Sequence, residues 1–369
     1  MQISKLFIDR QVADHPVTRS IQSRLQLPAE TVRNARQVYE AVSAARDPVR
    51  QGKETLYLTR NRGAFLKKCP GTRHYTCCDY QILHIGSFCH MDCTYCVLQT
   101  YFHPPILQYF INHEDLMAEL DMVLTKSTDK ILRIGTGEFT DSLIWESWTD
   151  VSPLLVKRFA AQAHAVLELK TKTTAIEGLQ KLNHNQKTIA AWSLNTPQII
   201  HTQERATAGL AARLKAAARC ETWGYPLAFH FDPLILYDGC EDDYTRVIER
   251  LYSQVSAGNI VWISLGTLRF PPSIKTVIQE RFPDSKIIYE EFIKGPDGKM
   301  RYFKPLRINL YRKVVECIRD HSPDAVVYLC MEDEDVWQKS LGFKPGDVGG
   351  LPHMLDQSAV RHCNLEPGK

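Results

Sequence analysis

From Tyr80 onward, short apolar runs alternate with longer amphipathic ones. The short runs are Tyr80–Phe88, Lys130–Gly135, Ala165–Lys170, Thr188–Leu194, Leu227–Leu234 and Ile260–Phe270, and they read as strands. Between them the pattern predicts helices over His113–Leu124, Pro153–Gln162, Ala175–Leu182, Ala208–Thr222, Glu241–Ser256 and Ser273–Arg281. Strand followed by helix, repeated about six times, predicts an α/β fold with a parallel sheet. Six units are too few to close an eight-unit barrel, so an open partial barrel is expected, with its chemistry at the C-terminal strand ends.

The flanks read differently. Residues 1–78 are expected to be a helical, basic N-terminal extension, 79–283 the barrel, and 284–369 a C-terminal extension. Within the last, Lys286–Phe303 holds two short extended runs around K-G-P-D-G-K. Pro296-Asp297-Gly298 is turn chemistry, so a β-hairpin is predicted there. A helix over about Leu306–His321 and the apolar run Ala325–Cys330 follow, and the tail from Lys344 has no clear period.

Composition narrows the class. The chain of 369 residues is 44% hydrophobic and 24% charged, ordinary for a soluble globular enzyme. No run approaches the roughly 18 apolar residues of a membrane helix. The start, M-Q-I-S-K-L-F-I-D-R, is too short in apolar residues for a signal peptide. The 11 cysteines are odd in number and scattered, which argues against a disulfide framework and for a reducing, cytoplasmic setting. A net charge of +3 does not announce a nucleic-acid binder. However, Arg33, Arg36, Arg46, Arg50, Lys53, Arg60, Arg62, Lys67, Lys68 and Arg73 form a basic stripe with few acids between them. That stripe is either a phosphate-binding surface or a solvated helical face.

The densest chemistry is C-H-M-D-C-T-Y-C, just after the first strand, with Cys89, Cys93 and Cys96 spaced C-x3-C-x2-C. Four thiolates would close a zinc site or saturate a cubane cluster. Three on one loop would hold a four-iron cluster and leave one iron open. The alternatives are a structural zinc loop or three buried thiols, but no H-x3-H or second C-x2-C stands nearby. G-T-G-E-F, residues 135–139, ends the second strand, and Glu138 there could accept hydrogen bonds from an ammonium. Lys172 ends the third strand and could pair with a carboxylate. Ser193 and Asn195 end the fourth and offer neutral hydrogen-bonding groups.

With Tyr95 in its last gap, the loop resembles that of the radical S-adenosylmethionine (SAM) enzymes. The resemblance implies a [4Fe-4S] cluster whose open iron binds SAM and reductively splits it to methionine and a 5′-deoxyadenosyl radical. It also implies a radical SAM partial barrel, a cofactor site with Tyr95, Gly137, Glu138, Thr140, Lys172, Ser193 and Asn195, and a flavodoxin- or ferredoxin-type electron donor. C-T-Y-C-V-L-Q-T, Thr171-Lys172, W-S-L-N, G-Y-P-L at Gly224–Leu227, L-R-F at Leu268–Phe270 and G-K-M-R-Y at Gly298–Tyr302 are similar to the spore photoproduct lyase family, in the same order. That family reverts a thymine photolesion in DNA. The likeness implies a DNA-facing hairpin with Arg301 and Tyr302, and Arg269 as a further nucleic-acid residue.

Two positions depart from the family. Its hydrogen-donating cysteine, in S-C-T-S-D, is replaced here by Glu138 in G-E-F-T-D, with Asp141 keeping the acid. Its tyrosine after the last cluster cysteine is Val97. C-P-G-T-R-H-Y-T-C-C supplies Cys69, Cys77 and Cys78 just upstream, as replacement donors, second-cluster ligands or buried small hydrophobes. Tyr95, Cys77 and Cys78 are taken as catalytic candidates and Cys330 as core. The expected function is a radical SAM lyase acting on a DNA photolesion. A radical SAM enzyme with another substrate (RNA base, peptide or small molecule) and a non-catalytic nucleic-acid-binding protein with a metal loop are the alternatives.

Overall fold

Seven parallel strands and one antiparallel edge strand form an eight-stranded sheet. In spatial order they are Val327–Leu329, Ile260–Thr267, Leu227–Leu234, Thr188–Ser193, Ala165–Thr171, Leu132–Gly135, Gln81–Leu83 and the antiparallel Leu66–Lys68. All six expected strands are present, and the sheet curls into a half-barrel. The central strands are buried along nearly their whole length, as Ile260–Thr267 shows at every position. A parallel sheet covered on both faces needs such continuous apolar runs. This computed structural model describes residues 2–71, 74–126 and 130–366, so Arg73 of the basic stripe lies outside the described residues.

Helices return the chain between strands, as His113–Lys126, Val151–Ala160, Leu210–Thr222, Cys240–Tyr252 and Ser273–Arg281. Cys240–Tyr252 opens with Glu241, Asp242 and Asp243, which complement the positive helix end. The helix expected over Ala175–Leu182 is only a single 3-10 turn, Glu177–Leu179. Ile176 and Leu179 are buried there, but the segment holds too few turns to propagate a helix. The run Ala325–Cys330 contributes the seventh parallel strand instead of standing apart.

The N-terminal part differs from the expected helical extension. It is built on a five-stranded sheet in the order Ala29–Val32, Lys5–Asp9, Thr55–Thr59, Leu107–Phe110, Gly86–Ser87. Its strands are four or five residues long or shorter, too short to show a period. The last two lie beyond residue 78, so this sheet is completed from either side of the cysteine loop. The predicted hairpin is present as Phe292–Lys294 and Met300–Tyr302, with Gly298 at φ 79° in its turn, and Arg269–Phe270 adds a third strand. No helix among the described residues is long and apolar enough to cross a membrane.

Candidate radical SAM site

Six of the seven parallel strands, or the turns that follow them, open onto one cavity of about 370 Å³, and Tyr80, just before Gln81–Leu83, lines it from the seventh. Cys89, Cys93 and Cys96 reach it from the loop after Gly86–Ser87. This loop is held by its backbone. Thr94 donates to the Gln203 carbonyl at 2.9 Å, and the Gln99 amide donates to the carbonyls of Cys93, Thr94 and Cys96 at 3.2–3.3 Å. Cys93 also pairs with Glu204 in a two-residue antiparallel ladder. Tyr95 donates its hydroxyl to Glu204, which is ion-paired to the buried Arg213. Tyr95 is thereby fixed against the loop.

Burial pushes the Cys89 thiol up to about 12, and burial and Glu204 push Cys93 well above the ordinary range. As free groups these are inert thiols. Iron would reverse that, since a coordinated thiol is deprotonated outright. No three His, Cys, Asp or Glu side chains among the described residues converge on a single-ion position. A cubane presents its irons at separate corners, so its ligands need not meet at one point. Three thiols on one loop that carries no fourth cysteine, all facing one cavity, fit a cluster with an open iron.

The neighbouring wall fits an amino-acid-bearing ligand. Glu138 and Lys172 line the cavity along with Gly137, Thr140 and Ser193. Lys170 stands 2.5 Å from Glu138. Burial alone would lower the Lys170 ammonium, but Glu138 and Glu168 outweigh it and hold it above the lysine range. At Gly137 an added Cβ would lie 3.0 Å from Lys170 Cβ, so the glycine admits that strand. Asp141 accepts from Thr171 Oγ1 and the Lys172 amide, both at 2.8 Å, and so shapes the turn that carries Lys172. Asn195 does not join them. It is buried, donates to the Pro233 carbonyl at 2.9 Å and accepts from Tyr244 at 2.8 Å, so its hydrogen-bonding capacity is spent on the fold.

Deeper in the barrel lies a polar floor that sequence reasoning missed. Glu168 pairs with His230 at 2.9 Å and accepts from Trp262 at 3.1 Å, while Asp232 holds Arg269 at 2.9 and 3.0 Å. Burial would raise the Glu168 carboxyl, but His230 and Lys170 bring it down to about 2. The Tyr80 hydroxyl is buried beside Glu168. A signal existed: E-L-K and H-F-D place charges at every second position of otherwise apolar strands. Cys330, expected in the core, lines the cavity instead and accepts from Arg269 at 3.3 Å. With Cys69, Cys77 and Cys78 it forms a group of four thiols in the cavity wall. Burial pushes Cys69 and Cys330 up to about 12. Cys78, hydrogen-bonded to Cys77 and buried, is held as a thiol.

A model of the family described as spore photoproduct lyase matches residues 50–325. The chain belongs to the spore photoproduct lyase family. It is 24% identical over 256 residues to the spore photoproduct lyase of Clostridium acetobutylicum, covering 69% of this chain and 74% of that protein. It is 26% identical over 210 residues to that of Geobacillus sp. and 25% over 206 residues to that of Bacillus subtilis, covering 56% and 55% of this chain. These two matches span 62% and 60% of the relatives, less than two thirds of their length. A solved spore photoproduct lyase mutant with dinucleoside spore photoproduct superposes with a TM-score of 0.77 at 20% identity, over 89% of this chain and 98% of the other. A second, with bound AdoMet and dinucleoside spore photoproduct, gives 0.77 at 19% over the same shares. Both show the family's fold in this chain.

The structure corrects the hairpin expectation. Arg301 is 2% exposed, forms a two-pronged ion pair with Asp297 at 2.5 and 2.9 Å, and stacks on Tyr75. Tyr302 is fully buried against Phe292. The hairpin is clamped onto its own small core with these two side chains inside, so neither is presented to a ligand. Arg269 lines the cavity but is spent on Asp232. Along the basic stripe, Arg36, Arg50 and Arg60 are paired with Glu40, Glu54 and Asp115, which favours the solvated-face reading.

Proposed function

We propose that this protein repairs a thymine photolesion in DNA by radical SAM chemistry. The observation that carries the reading is the meeting of three loop thiols with Glu138 and Lys172 on one cavity, in a chain of this family. A four-iron cluster on Cys89, Cys93 and Cys96 would supply the one-electron reduction that turns bound SAM into a hydrogen abstractor. Glu138 is suited to the SAM ammonium and Lys172 to its carboxylate, with the Ser193 hydroxyl as a neutral partner. Because a buried centre cannot reach a stacked base, the lesion must be extruded, at a cost of a few kcal/mol. Tyr101 lines the cavity and is 48% exposed, which makes it the aromatic free to stack on an opened step.

Hydrogen return falls to the four-thiol group, since the carboxylate of Glu138 cannot donate a hydrogen atom to carbon. A thiol of Cys78, with Cys77 beside it, gives up its hydrogen: the S–H bond breaks, a C–H bond forms, and sulfur keeps the unpaired electron. A flavodoxin- or ferredoxin-type carrier is the electron source we infer, in the cytoplasm. One observation favours a second reading, another substrate such as a modified RNA base: an ion pair, Glu138 with Lys170, stands where the family has its donor. Anaerobic incubation with SAM, reductant and ultraviolet-irradiated DNA, with products followed by mass spectrometry, tests both. Restored thymines are expected. SAM cleavage without any change in the DNA would move the second reading ahead.

A further inference from the structure

Lys53 ends the Pro48–Lys53 helix of the N-terminal part, and its side chain is completely buried. Read from sequence, it belongs to the basic stripe; in the structure it is withdrawn from solvent altogether. A buried ammonium must place three N–H donors. Lys53 places them on the cysteine loop, donating to the carbonyls of Cys89, at 3.1 Å, and Met91, and facing the Asp92 carboxylate at 3.7 Å. It also lies 4.5 Å from the ring of Phe88, whose φ of 71° is costly for a bulky side chain and persists only where its surroundings fix it.

The rest of the helix is built for this approach. At Gly52 an added Cβ would lie 1.6 Å from the Pro105 carbonyl oxygen, so no other residue permits the helix to come so close. Asp47 caps the other end of the helix and holds Arg281 at 3.1 Å, and Arg281 reaches Asp92 at 3.0 Å. Both ends of one short helix are thus tied to the same loop aspartate. An apolar side chain of similar length would fill the space without the desolvation cost of a charge. The charge itself therefore needs an explanation.

We infer that Lys53 is a positioning residue for the cluster loop and that its fixed positive charge raises the reduction potential of the cluster the loop holds. The inference rests on the radical SAM reading. A cluster gains negative charge on reduction, and its potential follows local charge, hydrogen bonding and solvent exposure. A cation bonded to the backbone of the first ligand, in surroundings of low dielectric, favours the reduced form. Asp92 offsets part of that charge.

The test uses the full chain reconstituted anaerobically with iron and sulfide, as wild type, Lys53→Met and Asp92→Asn. Iron content is measured first, then the midpoint potential by redox titration followed by electron paramagnetic resonance. Lys53→Met should lower the reduction equilibrium roughly tenfold, about 59 mV more negative for one electron. Asp92→Asn should move the potential the other way. A wild-type potential in a Lys53→Met protein of full iron content overturns the inference. Where Lys53→Met holds too little iron, Asp92→Asn decides alone: a positive shift supports the inference, and none or a negative one overturns it. A wild-type protein that assembles no four-iron cluster overturns the radical SAM reading and this inference with it.

Discussion

Glu138 and Lys170 face each other at 2.5 Å, and their pairing sets the cost of seating a ligand ammonium in the cavity wall. Glu138→Gln keeps the shape and removes the charge. A charge-assisted hydrogen bond is worth roughly 1.5–3 kcal/mol, so SAM affinity should fall by about ten- to a hundredfold with iron content unchanged. Lys170→Met, which frees the carboxylate, should not weaken SAM binding. Isothermal calorimetry on both reconstituted variants checks the pair, and equal losses would assign Glu138 a structural role. The loop thiols behave differently. Replacing any one of Cys89, Cys93 or Cys96 by Ala leaves two, too few for a site-differentiated cubane, so iron content and SAM cleavage should collapse together. These thiols were legible from spacing alone because one short loop carries all three. Lys53 was not, since its burial comes from a contact 36 residues away along the chain.

Among the elements, the hairpin shows how far turn chemistry reaches. Its turn was visible in P-D-G, but three-residue strands carry no periodicity to say which face turns inward. Family likeness alone assigned the Arg301-Tyr302 pair to DNA, whereas the structure spends it on the fold. Arg301→Ala would remove the two-pronged partner of the Asp297 side chain, 1% exposed, and leave it only Lys299, at 4.0 Å from the ammonium and 3.2 Å from the amide. Breaking a buried pair from one side typically costs 3–5 kcal/mol. Hydrogen exchange should show the hairpin amides deprotected while the barrel strands stay slow. Tyr302→Phe loses only a long hydrogen bond from the Leu236 amide, at 3.3 Å, and should cost about 1 kcal/mol or less. DNA affinity that falls in Tyr302→Phe without a stability change would return the hairpin to the nucleic-acid surface.

Across the whole molecule, the barrel was legible because its central strands, such as Ala165–Thr171, Leu227–Leu234 and Ile260–Thr267, are long enough to stand out between amphipathic helices. The N-terminal sheet was not, because its strands are five residues or shorter and two of them come from beyond residue 78, one on either side of the cysteine loop. Two histidines lie on connections between these sheets, His84 in the turn from Leu83 to Gly86 and His113 at the start of the His113–Lys126 helix, and they couple the fold to pH. His84 Nδ1 accepts from Lys67 at 2.9 Å, its Nε2 pairs with Ser87, and its ring sits 4.9 Å from both Phe110 and Phe139. His113 pairs with the Tyr109 hydroxyl at 2.8 Å. Burial, helped at His84 by the Lys67 charge, lowers both from 6.5 to about 4. The unfolded chain protonates them near 6.5 and the folded one only near 4, so between these values the unfolded state binds more protons. The share of stability that these two histidines carry should therefore be level above about pH 6.5, decline as pH falls toward 4, and lose up to roughly 3 kcal/mol per histidine. Urea midpoints of the cluster-free wild type and of a double His84→Asn, His113→Gln variant, compared between about pH 7.5 and 4.5, should show that share: the wild type loses stability relative to the variant as pH falls, because neither replacement takes up a proton in this range. A gap that does not change with pH would mean that neither histidine carries the acid sensitivity and would leave it to His90, which burial also lowers to about 4.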